Sequence, residues 1–435
     1  MWGKMKAFKP VRGMRDFLAE ETSLMRFIEG KTRKIAKIYG YKEVITPVVE
    51  SYELLAAKIG EEVRSRMFVF KDLGGRDIAL RPEFTASVAR LVATTLRTEP
   101  RPLRIFSFGS VYRYDEPQKG RYREFWQSNY ELMGSNRPEA DVEILMLTNS
   151  LMESVGLKDY VFKIGHIGVL RGIFNQEGIE EKTQNTVMQL MDKKQYEEAL
   201  KAVEETGASK NCFNIIQELM KLKGRDVFAI IEKLRKLVGK YEKAVEAVEN
   251  FHEILRLIRE SECKMDIIVD AGFARGLEYY TGIIFEVYVP EFDIALGGGG
   301  RYDQLIELFG GEPTPAVGVA HGIDRIMLAM QMQKVTINRE EGVVVVIPVE
   351  ERLRGEALKI SQMLRAADIP VEVDVMGRKV TKALEDADRR KMEYAIIVGE
   401  KELKEDAVVL RNLRRREQKT VKIEKLVSEL RNQGG

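Results

Sequence analysis

The chain has 435 residues, more than one ordinary core accommodates, so two or three domains are expected. Its 70 basic and 68 acidic residues leave a net charge of +2, so any nucleic-acid partner must be held by local patches rather than by bulk charge. No stretch approaches the roughly 20 apolar residues of a membrane helix, the segment from Met1 to Lys9 lacks an apolar signal core, and Cys212 and Cys263 are too far apart for a CxxC zinc or disulfide framework. The cytoplasm is the expected location.

Leu18, Met25, Ile28, Ile35 and Ile38 fall at near-helical spacing and predict a helix over 17–39, ended by Gly40. A short strand over 44–46 runs into Pro47. Strands over 67–70 and 78–80 flank Asp72-Leu73-Gly74-Gly75 as a hairpin. Two longer strands, 105–114 and 124–134, are joined by a polar loop with Pro117 and Gly120, and a helix follows over 139–155. From about 170 to 260 the chain is proline-free and rich in Glu, Lys, Leu and Ala, which predicts a helical insertion. Strands return at 267–270 and 280–289, and 318–330 reads as a glycine-led helix. A composition shift at 331–341 marks a linker. Beyond it, strands at 343–347, 371–375 and 395–398 alternate with helices at 351–366 and 379–390. That alternation predicts a small α/β domain with a largely parallel sheet, whereas the hairpins upstream predict an antiparallel one.

The strand 124–134 alternates, with Gln127, Asn129 and Glu131 on one face and Trp126, Tyr130 and Leu132 on the other. The polar face meets either water or a polar ligand. Arg113 on the partner strand, with Arg121 and Arg123 in the connection, makes a phosphate-binding floor plausible. The glycine run 297–300, followed by Arg301, Tyr302 and Asp303, has no P-loop spacing. It reads either as a bulged strand end or as a place where backbone approaches a ligand. Arg325 is either a surface charge or a phosphate clamp. His166, His252 and His321 show no ligand spacing and read as structural. No nucleophile motif is present, so positioning and electrostatics carry the chemistry. Basic runs at Arg378-Lys379, Arg389-Arg390-Lys391 and Arg414-Arg415-Arg416 with Lys419 are either solvated faces or a nucleic-acid surface.

Together these segments resemble the class II histidyl-tRNA synthetases over nearly the whole chain. Ile45-Thr46-Pro47 with Glu50 is similar to motif 1, Tyr112 through Arg123 to motif 2, and Gly318 through Arg325 to motif 3. Arg275-Gly276-Leu277-Glu278-Tyr279-Tyr280 and the run from Gly297 to Asp303 resemble the two signatures of the histidine enzymes. Arg12 through Asp16 and Arg81-Pro82-Glu83-Phe84-Thr85 also fit. Asp115 and Asp324 depart from the pattern, which carries glutamate at both places.

The resemblance implies an α+β catalytic domain over 1–330, with a mixed, mainly antiparallel sheet of six to seven strands flanked by helices. It also implies the helical insertion as a tRNA contact, a linker over 331–341 and an α/β anticodon-binding domain over 342–435. The implied reaction activates L-histidine with ATP to histidyl-adenylate and transfers it to the 3′-end of tRNA(His). Arg113, Arg275 and Arg325 are the implied catalytic residues. Histidine would be bound by Glu83, Phe84, Thr85, Arg113, Gln127, Glu131, Arg275, Tyr279 and Tyr280. ATP would be bound by Arg113, Asp115, Arg121, Tyr122, Phe125 and Arg325, with Mg2+ accompanying it and no metal site of the protein's own. Gln118 would reach the tRNA acceptor end, and the enzyme would be a homodimer with no membrane association. The alternative is a non-catalytic paralogue that regulates ATP phosphoribosyltransferase. It typically lacks the anticodon domain and parts of the histidine signatures, and both are present here.

Overall fold

The helix Ala19–Ile38 turns Met25, Ile28, Thr32 and Ile35 inward at the i, i+3, i+4 spacing of one buried stripe. Tyr130 fixes it to the sheet by donating its hydroxyl to the Thr32 carbonyl at 2.8 Å. This helix opens the first of two compact units, Met1–Ile337 and Asn338–Gly435, in a computed structural model that describes residues 8–290, 295–337 and 343–432. The readings for residues 1–7 and for 338–341 of the linker lie outside the described residues.

The first unit contains β1 (Lys42–Glu43), β2 (Val49–Ser51), β3 (Val69–Lys71), β4 (Asp77–Leu80), β5 (Leu103–Tyr112), β6 (Glu124–Met133), β7 (Val161–His166), β8 (Lys223–Gly224), β9 (Ile267–Asp270), β10 (Ile283–Tyr288), β11 (Gly297–Arg301) and β12 (Ala316–Gly322). Nine strands form one sheet in the order β1-β5-β6-β12-β11-β10-β7-β9-β8, and β2-β4-β3 form a separate antiparallel sheet. Within the large sheet only β1–β5 and β7–β9 pair parallel. The count exceeds the six to seven strands expected because β1 and β8 are two-residue pairings, too short to leave a periodic signal.

Two local readings are corrected. The strand expected over 44–46 pairs instead at Lys42–Glu43, and Val44 adds one further bond to the Phe106 carbonyl. The glycine-led helix expected over 318–330 is a central strand, β12, followed by a helix only from Ile323 to Met332. Val317 and Val319 alternate with Gly318 and Ala320, which is strand periodicity with small residues on one face. Those small residues are a spatial requirement. A Cβ on Gly318 would lie 1.6 Å from Glu131 Oε2.

The same requirement shapes the sheet around β6. Gln127 lies opposite Gly109 and Gly322, and Asn129 opposite Ser107 and Ala320. Small neighbours leave room at Gln127, which lines a cleft, whereas Asn129 and Glu131 on the same face are buried and Tyr130 and Leu132 fill the core behind them. Arg301, at the end of the glycine run, turns away from that cleft. Its Nε and Nη2 reach the two oxygens of buried Asp141 at 2.9 and 3.0 Å, and Nη1 reaches the Ser135 carbonyl.

From Ile167 to Glu260 the chain is helical apart from β8, with its own apolar interior around Val187, Ile216, Ile231 and Phe251. The second unit holds β13 (Val344–Pro348), β14 (Val371–Val373), β15 (Tyr394–Val398), β16 (Ala407–Asn412) and β17 (Glu417–Lys422), ordered β14-β13-β15-β16-β17. Its sheet is not largely parallel. β13 pairs parallel with β14 and β15, but β15–β16 and β16–β17 are antiparallel. The β16–β17 hairpin was hidden because its turn is the arginine run, with Arg416 at φ 58°.

Replacing Arg301 with Leu should leave the Asp141 charge buried and unpaired, at a cost of about 3–5 kcal/mol. Urea unfolding is the check, and adding Asp141→Leu should recover most of the loss.

Candidate active site

β6, β10, β11 and β12 converge on one cleft, with the β5–β6 connection and the turn before β10 closing its sides. Arg113 leaves the end of β5 and donates Nε to the Pro82 carbonyl at 2.9 Å, with its guanidinium 5.5 Å from the Phe125 ring centre. Arg275, from the turn before β10, donates Nη1 to the Phe285 carbonyl at 3.0 Å and lies 3.8 Å from Glu286. Arg325, in the first turn of the helix Ile323–Met332, donates to the carbonyls of Gly120 and Ala295. All three line the cleft.

Their electrostatics are unusual for partly buried arginines. Backbone carbonyls orient them, yet none has a carboxylate within tight hydrogen-bonding range among the described residues. Burial pushes Arg325 down to about 10, and Arg113 and Arg121 push in the same direction. Burial likewise lowers Arg113. Burial opposes the charge on Arg275 as well, but Tyr280, Glu286 and Asp192 outweigh it and hold that guanidinium above its ordinary value. Carboxylates are present but already engaged. Asp115 pairs with Arg66 at 2.9 Å and more loosely with Arg121 at 3.8 Å. Asp324 pairs with Arg15 and accepts the Trp126 N–H at 2.7 Å.

The glycine run explains how Arg275 fits. It is a regular strand with extended backbone, paired on both sides, and not a bulged end. A Cβ on Gly298 would sit 1.8 Å from Arg275 Nη1, and one on Gly299 would sit 2.0 Å from the Gly318 carbonyl oxygen. Gly298 therefore makes room for a guanidinium, and Gly297, Gly298 and Gly299 expose backbone to the cleft.

A second region of the cleft is polar and rich in hydroxyl groups. Glu131 is fully buried, accepts from Thr85 Oγ1 at 2.7 Å and accepts the Tyr302 hydroxyl. Burial raises its carboxyl to about 7, and hydrogen bonds from Tyr302 and Thr85 oppose the rise. Tyr279 packs 4.9 Å from Tyr280 and 5.6 Å from Tyr302, between ring centres. Gln127 lines the cleft with its buried Oε1 unpaired. Glu83 accepts the N–H groups of Thr85 and Ala86 at the start of the helix Thr85–Ala93.

Most of the expected residues thus meet in one place: Glu83, Thr85, Arg113, Asp115, Arg121, Tyr122, Phe125, Gln127, Arg275, Tyr279, Tyr280 and Arg325 all line the cleft. Glu131 stands directly behind Thr85 and Tyr302. Phe84 does not line it. It is buried beneath the Arg81 guanidinium, 4.3 Å from its ring centre, because Glu83 and Thr85 take the outward positions of that turn. Gln118 is exposed at the tip of the connection, bridged to Arg121. Arg123 is spent inside the fold, donating to the Asp115 carbonyl and covering Tyr114. Tyr302, Glu286 and Arg15 were not singled out for the site. Arg15 lies 3.9 Å over the ring of Tyr122 and holds Asp324. Only the signature beginning at Arg12 hinted at it. His321 lies between Ser128 and Thr148, and His252 lies against Phe228, both away from the cleft.

A carboxyl raised from 4.5 to about 7 on folding holds its proton more tightly in the native state. Its stabilising contribution is present below pH 4.5 and is lost as pH rises through 7. Glu131→Gln removes this dependence. Between pH 5 and 8 its unfolding free energy should gain roughly 2 kcal/mol on that of the parent, as read by urea unfolding at both pH values.

A family model described as Histidyl-tRNA synthetase matches residues 13–326, and one described as Anticodon binding domain matches residues 343–433. The curated histidine–tRNA ligase of Methanocaldococcus jannaschii is 41% identical over 422 residues, covering 97% of this chain and 99% of that protein. A solved Bacillus halodurans protein, described as an ATP phosphoribosyltransferase regulatory subunit/histidyl-tRNA synthetase, is 26% identical with a TM-score of 0.76, over 88% of this chain and 97% of its own. A solved histidyl-tRNA synthetase from a Nostoc species shares the fold with a TM-score of 0.80 at 23% identity, over 98% of this chain and 100% of its own. With one family model spanning most of its length and a curated relative above 40% identity from end to end, this chain belongs to the histidyl-tRNA synthetase family.

Proposed function

We propose that this chain is a histidine–tRNA ligase whose cleft forms histidyl-adenylate from L-histidine and ATP and then passes the histidyl group to the 3′-end of tRNA(His). The observation that carries this reading is the convergence of Arg113, Arg275 and Arg325, without tight carboxylate partners, on one cavity beside Glu131 and the paired tyrosines.

In the first step a histidine carboxylate oxygen attacks the α-phosphorus, forming the acyl-phosphate bond as the bond to pyrophosphate breaks. No protein nucleophile is required. The protein aligns the reactants and stabilises charge. Arg113 and Arg275 hold the α-phosphate and the reacting carboxylate, and Arg325 with Arg121 holds the outer phosphates. Asp115, Tyr122 and Phe125 complete the ATP side. Mg2+ enters with ATP as part of that substrate and offsets phosphate charge. Glu83, Thr85 and Gln127 read the ammonium group of histidine, for which the unpaired Gln127 Oε1 is a ready acceptor. Glu131, Tyr279 and Tyr280 read the ring. A carboxyl near 7 is well matched to imidazole, which ordinarily titrates near 6.5. An apolar amino acid would leave these buried groups unpaired, and sites of this kind discriminate by about 10⁴–10⁵ without editing.

The tRNA side rests on the second unit, the helical insertion and Gln118. Of the basic runs, Arg378, Arg389, Arg390, Arg414 and Lys419 have acidic partners, while Lys379, Lys391, Arg415 and Arg416 have none among the described residues. The unpaired four are the charges available to RNA phosphates. A regulatory paralogue without catalysis has no need of the three arginines or of an anticodon domain, so that reading is not favoured. A cytoplasmic location suits the reaction, and no helix among the described residues is long and apolar enough to cross a membrane.

A homodimer is also part of this reading. Ile45 is 88% exposed, and Val48, Val49, Val69 and Phe70 are exposed in the motif 1 segment and the three-stranded sheet beside it. Apolar residues concentrated in this way mark an interface. Ile45→Asp should convert the dimer to monomers in sedimentation velocity.

ATP–pyrophosphate exchange with each of the twenty amino acids tests the function, and strong exchange is expected with histidine alone. Arg275→Ala should slow single-turnover adenylate formation on the order of 10²–10³-fold. A loss below tenfold would remove Arg275 from the catalytic set.

A further inference from the structure

The helix Glu181–Asp192 of the insertion ends on a carboxylate. An acid there opposes the partial negative charge of a helix C-terminus, so the helix itself gains nothing from it. Its partner lies in the catalytic sheet's own turn. Asp192 Oδ2 accepts the N–H of Gly276, the residue after Arg275, at 2.8 Å. Two more insertion side chains grip the same turn. Gln189 Nε2 donates to Glu278 Oε1 at 3.4 Å, and Arg171 Nη2 donates to the Glu278 carbonyl at 3.3 Å. Gly60 abuts the turn so closely that an added Cβ would lie 2.3 Å from the Gly276 carbonyl oxygen.

The Arg275 side chain has little else to fix it. It makes one bond to the Phe285 carbonyl, a loose 3.8 Å contact with Glu286 and a 5.8 Å approach to the Tyr280 ring, and Asp192 attracts it electrostatically, while Gly298 yields space without supplying a bond. The backbone of its turn must therefore be set from outside the sheet. We infer that Asp192 is a positioning residue for Arg275: through the Gly276 N–H, the helical insertion holds the catalytic arginine in register with the cleft. The insertion is then part of the machinery of amino-acid activation as well as an arm towards RNA. This inference rests on the role given to Arg275 above.

Asp192 is exposed, so replacing it opens no cavity. Single-turnover adenylate formation with the full-length protein is the test, on Asp192→Ala, Asp192→Asn, Arg275→Ala and the Asp192→Ala/Arg275→Ala double variant. Asp192→Ala should lower the rate constant on the order of tenfold with little change in the ATP concentration for half-saturation. Asp192→Asn, which keeps an acceptor for the Gly276 N–H, should recover most of the loss. In the Arg275→Ala background the Asp192→Ala change should cost less than twofold, since the two residues act as one unit. Hydrogen exchange across residues 274–280 should speed up in Asp192→Ala and not in Asp192→Asn. An unchanged rate in Asp192→Ala, or a loss that multiplies fully with that of Arg275→Ala, would overturn the inference while leaving the proposed function intact. If the parent forms no adenylate with histidine, the functional reading itself fails and takes this inference with it.

Discussion

Three guanidinium groups held by backbone carbonyls instead of carboxylates are the constraint around which this molecule is arranged. Burying a cation without a counter-ion is costly, and Arg113 and Arg325 bear that cost within one cleft, while Arg275 has Glu286 at 3.8 Å. Carbonyl oxygens of Pro82, Phe285, Gly120 and Ala295 fix direction without cancelling charge. The nearby carboxylates are diverted, Asp115 to Arg66 and Asp324 to Arg15. What remains is a preorganised positive field, which under the proposed function meets the charge of the substrates.

That field needs space in the middle of a sheet, where space is scarce. Adjacent strands β11 and β12 supply it through glycine. Gly298 admits Arg275 and Gly318 admits Glu131, and each would be blocked by a single methyl group. None of these glycines has a left-handed φ. Their purpose is to yield volume, not to permit an unusual backbone. The two departures from the family pattern fit the same picture. Asp115 and Asp324 act on Arg66, Arg15 and the Trp126 amide, so the shorter aspartate reaches its partners in this chain.

Local periodicity made most elements visible. The helices Ala19–Ile38 and Pro138–Ser154, strands β5 and β6 and the insertion helices carry strong patterns, and their sequence signals stand close to their observed ends. The signal failed where tertiary contacts, not propensity, set the conformation. β12 looked helical because its glycines report on neighbours across the sheet. β1 and β8 have two residues each, and the β16–β17 hairpin was masked by its own arginine-rich turn.

The residues of the cleft were nameable in advance because their types are chemically demanding: arginines for phosphate, an acid and hydroxyls for a polar ring. Pattern also sufficed to assign the family. Which arginine does what was decided only by folding. Arg113, Arg275 and Arg325 face the cleft, whereas Arg301 and Arg123, equally prominent in the motifs, are locked to Asp141 and to the Asp115 carbonyl. Phe84, flanked by two lining residues, points into the core. Side-chain direction depends on strand register and on partners as distant as Asp141, 160 residues from Arg301, and periodicity along the chain does not carry that information.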